Sequence, residues 1–493
     1  MNVYYIIETR ISIMLIRVFL ILNIILLFFN AFVFKLGNGF FYITNIFLII
    51  FYFYFIIRHP RKFLLKIIIL YKKTPLKHLI NFFIWLYVSG FILFIIGKAD
   101  ILIMYYITVK LMLPFLFGYL LSAFFIPKYI SYDNLIKVLF GLFFFIFIVG
   151  ILGFIGDLYS IQFLQAIPNT LSNLKNVSQE VEMMQDAVSG LPRARSLFHE
   201  PGTFAFFIFL YIPIIYSVCL GKFSIYKNKI INFIIKRSLI PLALTNLILT
   251  MSPINLIFVS LLTLAYFFKK IFTIIVKKSI VVLFISFLLL LFLLIIFNVH
   301  TEAFTKMIVN SFIGRIINVL SSHSIDDLIN NEGSLASRIV CYINSYILFL
   351  KSPLIGYGYD NARFYLYDQF INSPVPLTKE MMMNVEASVI TGTGVAYNKS
   401  LLSGLLVDTG IIGTFLYYKF LFSNLSYIKR ISPYYHGNIK LFLKGIKWLC
   451  LALLCTSFYT MDIPKPYIAF AYGLIASFTL FYYKKSIRTM GGK

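Results

Sequence analysis

Arg193-Ala194-Arg195-Ser196-Leu197-Phe198-His199-Glu200-Pro201-Gly202-Thr203-Phe204 marks the point where a polar segment ends and an apolar run begins. From Phe204 to Leu220 the chain reads as a membrane-spanning helix. Glu200-Pro201-Gly202 reads as its start: proline is tolerated at the first helical position, and a negative charge suits the positive end of the helix dipole. The arginines, His199 and Glu200 would then lie at a membrane surface, beside a helix N-terminus. Backbone N–H groups and the dipole make such a place suited to anions.

The rest of the composition agrees with a membrane setting. The chain has 493 residues, of which 60% are hydrophobic and only 13% charged, and its mean hydropathy is +0.89. Soluble domains are about half apolar and about a quarter charged. Long apolar runs recur from end to end, so the expected class is an all-α polytopic membrane protein. The net charge of +26 is accounted for by lysine and arginine in short cytoplasmic loops rather than by nucleic-acid binding. Four cysteines form no Cys-x-x-C pair and no Cys/His cluster with metal-ligand spacing.

Taken in order, helices are expected at about Ile11–Phe34, Phe40–Ile57, Leu79–Ile96, Ile101–Ile126 and Val138–Ile155, then from Phe204. The loop from Arg58 to His78 holds Arg61, Lys62, Lys66, Lys72, Lys73 and Lys77 and no acid, which places it in the cytoplasm. The stretch Ser238–Phe268 is basic at both flanks and interrupted by Thr250-Met251-Ser252-Pro253-Ile254-Asn255. It reads as a short broken hairpin with both ends inside, a form tolerated where protein or a water-filled cavity covers it. The alternative is one tilted helix kinked at Pro253, which would invert everything downstream. Further spans are expected at about Ser279–Phe297 and from Leu401, Leu441 and Tyr467, giving about twelve membrane segments with both termini cytoplasmic. The resulting divisions are 1–156 (five helices), 157–200 (an external loop), 201–297 (helices six to nine), 298–399 (a large external loop) and 400–493 (three helices and a cytoplasmic tail).

Most of the 18 acidic residues fall in the two external loops. They share those loops with Arg193, Arg195, Arg315, Arg338 and Arg363, whose position runs against the positive-inside bias and requires another explanation.

The segment Arg193 to Gly202 resembles the signature of the Wzy-type O-antigen polymerase and O-antigen ligase superfamily, whose members carry an arginine shortly before an aromatic-x-Glu-Pro-small helix start. Three further segments are similar to that family. Thr250-Met251-Ser252-Pro253 matches a short hairpin. Ser337-Arg338 followed by Pro353-Leu354-Ile355-Gly356-Tyr357-Gly358 matches its large loop. Asp408-Thr409-Gly410-Ile411-Ile412-Gly413 matches an acidic-x-Gly-x-x-Gly helix entry. The resemblance covers roughly Arg193 to Phe415. Ligases of the superfamily usually carry a His-Asn pair ahead of that last helix. Here the region reads Ala396-Tyr397-Asn398-Lys399-Ser400, which favours polymerase over ligase.

The resemblance implies a glycosyltransferase of the bacterial cytoplasmic membrane that polymerises undecaprenyl-pyrophosphate-linked oligosaccharide units on the outer face, making O-antigen or capsular polysaccharide. Donor and acceptor are both lipid-linked, surrounding lipids and a chain-length-regulating co-polymerase are the further partners, and neither metal nor cofactor is expected. Charge develops on the leaving pyrophosphate, and arginine suits it because it stays cationic and forks onto phosphate oxygens. Arg195 and Arg338 are therefore the candidate catalytic cations, expected to converge on one external cavity. Arg193, His199, Arg315, Arg363 and Tyr357 are candidate substrate contacts. Glu200 is either a general base for the acceptor hydroxyl or a helix cap paired with Arg195. The competing classes are a ligase and a flippase of lipid-linked saccharide. Transporters tend to carry intramembrane charges and repeated halves, and this chain shows few of the former and no visible repeat.

Overall fold

The computed structural model describes residues 2–28, 33–36, 39–58, 60–172, 193–198, 201–221, 224–250, 333–378, 398–457 and 468–478, with positions 252, 255, 259, 263, 327, 381–382 and 385–386. Among these residues the chain is helical apart from one short hairpin. Helix α1 runs Asn2–Phe28, strand β1 (Val33–Leu36) pairs antiparallel with β2 (Gly39–Tyr42), and α2 runs Ile43–Arg58. Next come α3 (Pro60–Lys73), α4 (Leu76–Ile95) and α5 (Leu102–Tyr129), the last with π-helical stretches at Tyr106–Met112 and Leu121–Phe125. They are followed by α6 (Tyr132–Tyr159), α7 (Gln162–Ser172), α8 (Pro201–Cys219) and α9 (Lys229–Leu249). The C-terminal part holds α10 (Gly333–Lys351), α11 (Ala362–Ile371), α12 (Leu401–Ile431), α13 (Gly437–Thr456) and α14 (Ile468–Phe478). Helices α4, α5, α6, α8, α9 and the run Leu401–Tyr434 that contains α12 are long and apolar enough to cross a membrane. The architecture is that of an all-α membrane protein.

The helices fall into two compact units. The first is Met1–Arg58, Leu121–Gly314 and Ser432–Ala452, and the second is His59–Leu120, Arg315–Ile431 and Leu453–Lys493.

In the first unit α8 is the central rod, buried at every residue from Thr203 to Cys219. Its neighbours are set by local capping. Ser131 caps α6 by accepting the Asn134 N–H, and Asn228 caps α9 by accepting those of Ile230 and Ile231. The Tyr226 hydroxyl donates to the Lys137 carbonyl and so ties the α8–α9 loop to the start of α6. Between α6 and α9, the Asn246 amide donates to the Phe147 carbonyl at 3.0 Å, an interhelical polar contact of the kind that replaces the missing hydrophobic drive in lipid. At the far end of α6 the chain turns through Ser160 in the left-handed region and enters α7. There Gly156 lets the backbones close: a Cβ on it would stand 2.7 Å from the Gln165 backbone nitrogen. Gly156→Ala is expected to cost about 1–3 kcal/mol by forcing α7 outward. The measurement is the temperature at which buried Cys219 and Cys450 become reactive to a thiol dye, which should fall.

In the second unit α4 runs antiparallel to α12. His78 near the start of α4 feels the charge of Lys419 late in α12, while Trp85 donates its indole N–H to the Thr409 carbonyl at 3.0 Å. Phe82 packs on Tyr417, and Phe115, Phe420 and Tyr472 form an aromatic cluster with centroids 4.9–6.3 Å apart. Helices α10 and α11 share a smaller core of Val340, Leu348, Leu366 and Phe370.

Several sequence expectations are corrected. Val33-Phe34 and Phe40–Tyr42 are strand rather than helix, because a continuous apolar run carries no period that separates the two. The basic stretch after Arg58 is largely helix α3, since leucine, lysine and isoleucine tolerate helix whatever their charge. Asp157 lies in the last turns of α6 rather than in a loop, and α7 occupies part of the segment expected to be non-helical. Helix α9 begins at Lys229, nearer its Asn228 cap than the expected Ser238. The large polar segment 298–399 contains α10 and α11. The expected helix Ser279–Phe297 lies outside the described residues, as do His199, Glu200 and Arg315.

Candidate functional site

The segment Arg193–Phe198 is pinned between three helices of the first unit. The Ala194 N–H donates to the Leu249 carbonyl, and the Arg193 Nε donates to the carbonyl of Thr250, the C-terminal cap of α9, each at 2.9 Å. Arg193 thus satisfies a carbonyl that the helix end leaves over, where a cation also suits the dipole. Ser196 adopts φ 51° and donates its hydroxyl to the Ile146 carbonyl on α6 at 2.6 Å. Phe198 is fully buried and stacks on Phe204, with centroids 5.4 Å apart. These anchors hold Arg195 at the bend, closed by a Phe198 N–H to Arg195 carbonyl bond.

Arg195 is half-buried and faces Asp157, which in turn hydrogen-bonds Gln165 of α7. Burial pulls the guanidinium below its ordinary value, and Asp157 opposes the shift. Because that ordinary value is about 12 or higher, the group remains a cation. Its partner was not foreseen. Asp157 stands well before the motif in sequence, in the last turns of α6, the helix to which Ser196 is bonded.

The two ends of this unit differ in charge. Lys137, Tyr226 and Lys229 mark one end of the α6, α8 and α9 group. Asp157, Arg193, Arg195 and Thr250 mark the other. The Thr263 hydroxyl meets Tyr216 far along α8 at 3.1 Å.

In the second unit, Arg338 is half-buried on α10. One and two turns further along the same face stand Tyr342 and Ser345. The Ser400 hydroxyl donates to Tyr342 at 2.7 Å, and the Asn398 amide donates to Ser345 at 2.8 Å. Ser403 closes the group by hydrogen-bonding Asn398 and Ser400. Burial raises the Tyr342 phenol, and its bond to Ser400 works against that. The segment that lacks a histidine is therefore held by hydroxyl and amide groups against the helix that carries Arg338. Pairings between positions so far apart in sequence left no trace in local pattern.

The glycine-bearing segment and the acidic segment of α12 interlock. Gly410 has φ 65° and ψ −170° and breaks α12 within its apolar run. The carbonyls released there are all taken. Val407 accepts from the Tyr357 N–H, Asp408 from the Gly358 N–H, and Thr409 from Trp85. In return the Ile411 N–H donates to the Pro353 carbonyl at 2.8 Å. Gly410 thus separates two helices within the run Leu401–Ile431, and the acidic-x-Gly segment stands at the entry of the second, as expected. Asp408 is 8% exposed, and its carboxylate accepts no hydrogen bond from a described residue. Burial raises the neighbouring Tyr359 phenol, and Asp360 and Asp408 raise it further. Asp360, itself at φ 62°, pairs with Arg363 at 3.7 Å, and that guanidinium also lies over the Phe364 ring. Tyr357 is buried with its ring against Tyr365 at 4.4 Å, so it packs the fold.

Arg195 and Arg338 belong to different units. Among the described residues no group of three or more His, Cys, Asp or Glu side chains is placed to hold a metal ion. No protein-family model matches this chain, and no curated protein matches it significantly.

Proposed function

We propose that this protein is a Wzy-type polysaccharide polymerase that joins undecaprenyl-pyrophosphate-linked oligosaccharide units at the outer face of a bacterial cytoplasmic membrane. The observation that carries the reading is the half-buried Arg195, fixed at the end of its helix group opposite the lysines. By the positive-inside rule the lysine-bearing end is cytoplasmic and the Arg195 end external. A guanidinium has no topological reason to be there, and an anionic lipid headgroup supplies one.

In the proposed reaction an acceptor hydroxyl attacks the anomeric carbon of the donor sugar. The new glycosidic bond forms as the bond to pyrophosphate breaks, and the hydroxyl proton passes to a base, for which Glu200 is the candidate. Arg195 holds and neutralises the leaving pyrophosphate, and Arg338, in the other unit, is the second candidate cation; a preset cation of this kind is worth on the order of a few kcal/mol. Arg193 acts through position, by fixing the bend that carries Arg195. His199, Arg315 and Arg363 are the proposed further contacts to the lipid-linked substrates. Both termini are cytoplasmic in this reading.

Cell glycans test the function. A deletion should leave single repeat units on the surface lipid. Full-length chains unattached to lipid core would indicate a ligase instead, and units retained inside would indicate a flippase. Topology has its own check in a variant lacking the four native cysteines. An impermeant thiol reagent added outside should label Ser373→Cys and leave Lys72→Cys unlabelled. The reverse pattern ends this reading.

A further inference from the structure

At the end of the second unit away from Lys77 and Lys419, a cavity of about 290 Å³ opens between the α4–α5 turn and α11. Its chemistry comes from Lys98, Asp100, Asn361, Phe364, Tyr365 and Asp368. The walls are braced before any ligand arrives. The Asn361 amide and the Tyr365 hydroxyl both donate to the Lys98 carbonyl, at 3.1 and 2.8 Å, and Asn361 also donates to the Tyr357 carbonyl. Asp100 accepts the Leu102 N–H and so caps the first turn of α5. Bracing of this kind lowers the ordering cost of binding.

Lys98, Asp100 and Asp368 are exposed along this cavity and carry its charge. Neither the Lys98 ammonium nor the Asp368 carboxylate hydrogen-bonds or ion-pairs with another described residue. Phe364 is 41% exposed at the rim, with the Arg363 guanidinium over one side of its ring. Two carboxylates against one ammonium disfavour a phosphate or pyrophosphate, and the same charges disfavour a wholly apolar ligand. Carboxylates accept hydrogen bonds from hydroxyls, an ammonium donates to hydroxyl oxygens, and an aromatic face suits the C–H face of a sugar ring. The volume falls just under that of ligand pockets, which begin at roughly 300 Å³, and suits a single small ring.

We propose that this cavity is a saccharide subsite that takes one neutral sugar residue of the glycan, an assignment that rests on the polymerase reading and names where it holds its sugar. The end of the unit on which it opens is the one assigned to the outer face, where the glycan is. Phe364 stacks on the ring, Asp368 and Asp100 accept hydroxyl protons, and Lys98 donates to a ring or hydroxyl oxygen.

The test is saturation-transfer NMR on the full chain in detergent, with the methyl glycosides of glucose, galactose, mannose and N-acetylglucosamine as probes. At least one should receive saturation at its ring protons from the wild-type protein. Phe364→Ala should weaken that contact about five- to tenfold, the loss expected for one stacking partner. Asp368→Asn should weaken it similarly, and Asp100→Asn, which keeps the cap, covers the case where one variant misfolds. Absence of transfer to all four glycosides, or equal transfer in wild type and all three variants, overturns the subsite. Displacement of the bound glycoside by inorganic pyrophosphate at this cavity overturns it as well. Polymer length in cells separates the two readings. A silent cavity beside shortened chains in Arg195→Lys removes the subsite and leaves the polymerase. A binding cavity beside unchanged chains removes the polymerase and leaves a sugar site.

Discussion

If Arg195 holds the leaving pyrophosphate as proposed, replacing it by lysine is expected to shorten the polysaccharide to a few repeat units at equal protein level. The substitution keeps the positive charge and loses the planar fork. A guanidinium presents paired donors to two phosphate oxygens, whereas an ammonium is a point charge on a flexible stem. Arg195 sits on a bend clamped by Ser196 to Ile146 and by Ala194 to Leu249, so a lysine there cannot move to recover the geometry. Asp157 remains in place, and with the fork gone its carboxylate competes for the ammonium. A loss of about 2.7–4 kcal/mol of transition-state stabilisation, as for removal of one preset donor, slows turnover about 10²- to 10³-fold. Arg338→Ala should lose at least as much. The double variant then separates two cases. If both cations act on one pyrophosphate, the combined loss falls well short of the product of the two, and independent action gives the product. The measurement is chain-length distribution on gels, with membrane protein level as the control. Wild-type lengths in both single variants remove the arginines from the mechanism.

The sequence showed the membrane class and the start of α8 because both rest on local signals. Proline at the first helical position after a polar segment is one such signal, and α8 does begin at Pro201. Helix α4 was placed within a few residues for the same reason. The small helices outside the spans were hidden by their polarity. Helix α7 carries Pro168 and several amides, and α10 buries Ser337, Asn344 and Ser345 against other polar groups. A hydrophobic pattern cannot register a helix whose buried face is partly hydroxyl and amide. The arginine motifs stand out in sequence as charges in segments expected to be external. The group that faces Arg195 does not, because Asp157 meets it only through the packing of the Arg193–Phe198 segment on α6. The link between Asn398 and α10 depends on contacts that no spacing rule encodes.

Gly410→Ala should prevent the second unit from folding, and the reason is backbone geometry. At φ 65° and ψ −170° the residue occupies a region that is essentially reserved for glycine. A Cβ there would lie 2.2 Å from the Leu354 carbonyl oxygen and 2.4 Å from its carbon, both of them backbone atoms that cannot turn aside. Gly356 faces the same contact from the opposing segment, where a Cβ would approach the Val407 carbonyl oxygen to 2.5 Å. Forcing the segments apart would release the N–H groups of Tyr357, Gly358 and Ile411 and the carbonyls of Val407, Asp408 and Pro353 at once. A buried polar group left without its bond costs about 1–3 kcal/mol, so several together are comparable with the about 5–15 kcal/mol that holds an ordinary domain folded. Within a membrane the penalty has no relief from water, and a broken helix persists there only while other protein covers it. The expected result is loss of the full-length protein from the membrane, read by immunoblot and by aggregation after detergent extraction. Gly202→Ala is the control. That glycine lies in the first turn of α8, with nothing within 4 Å of an added Cβ, and the variant should accumulate normally. Normal accumulation and stability of Gly410→Ala would show that α12 is not broken at this position.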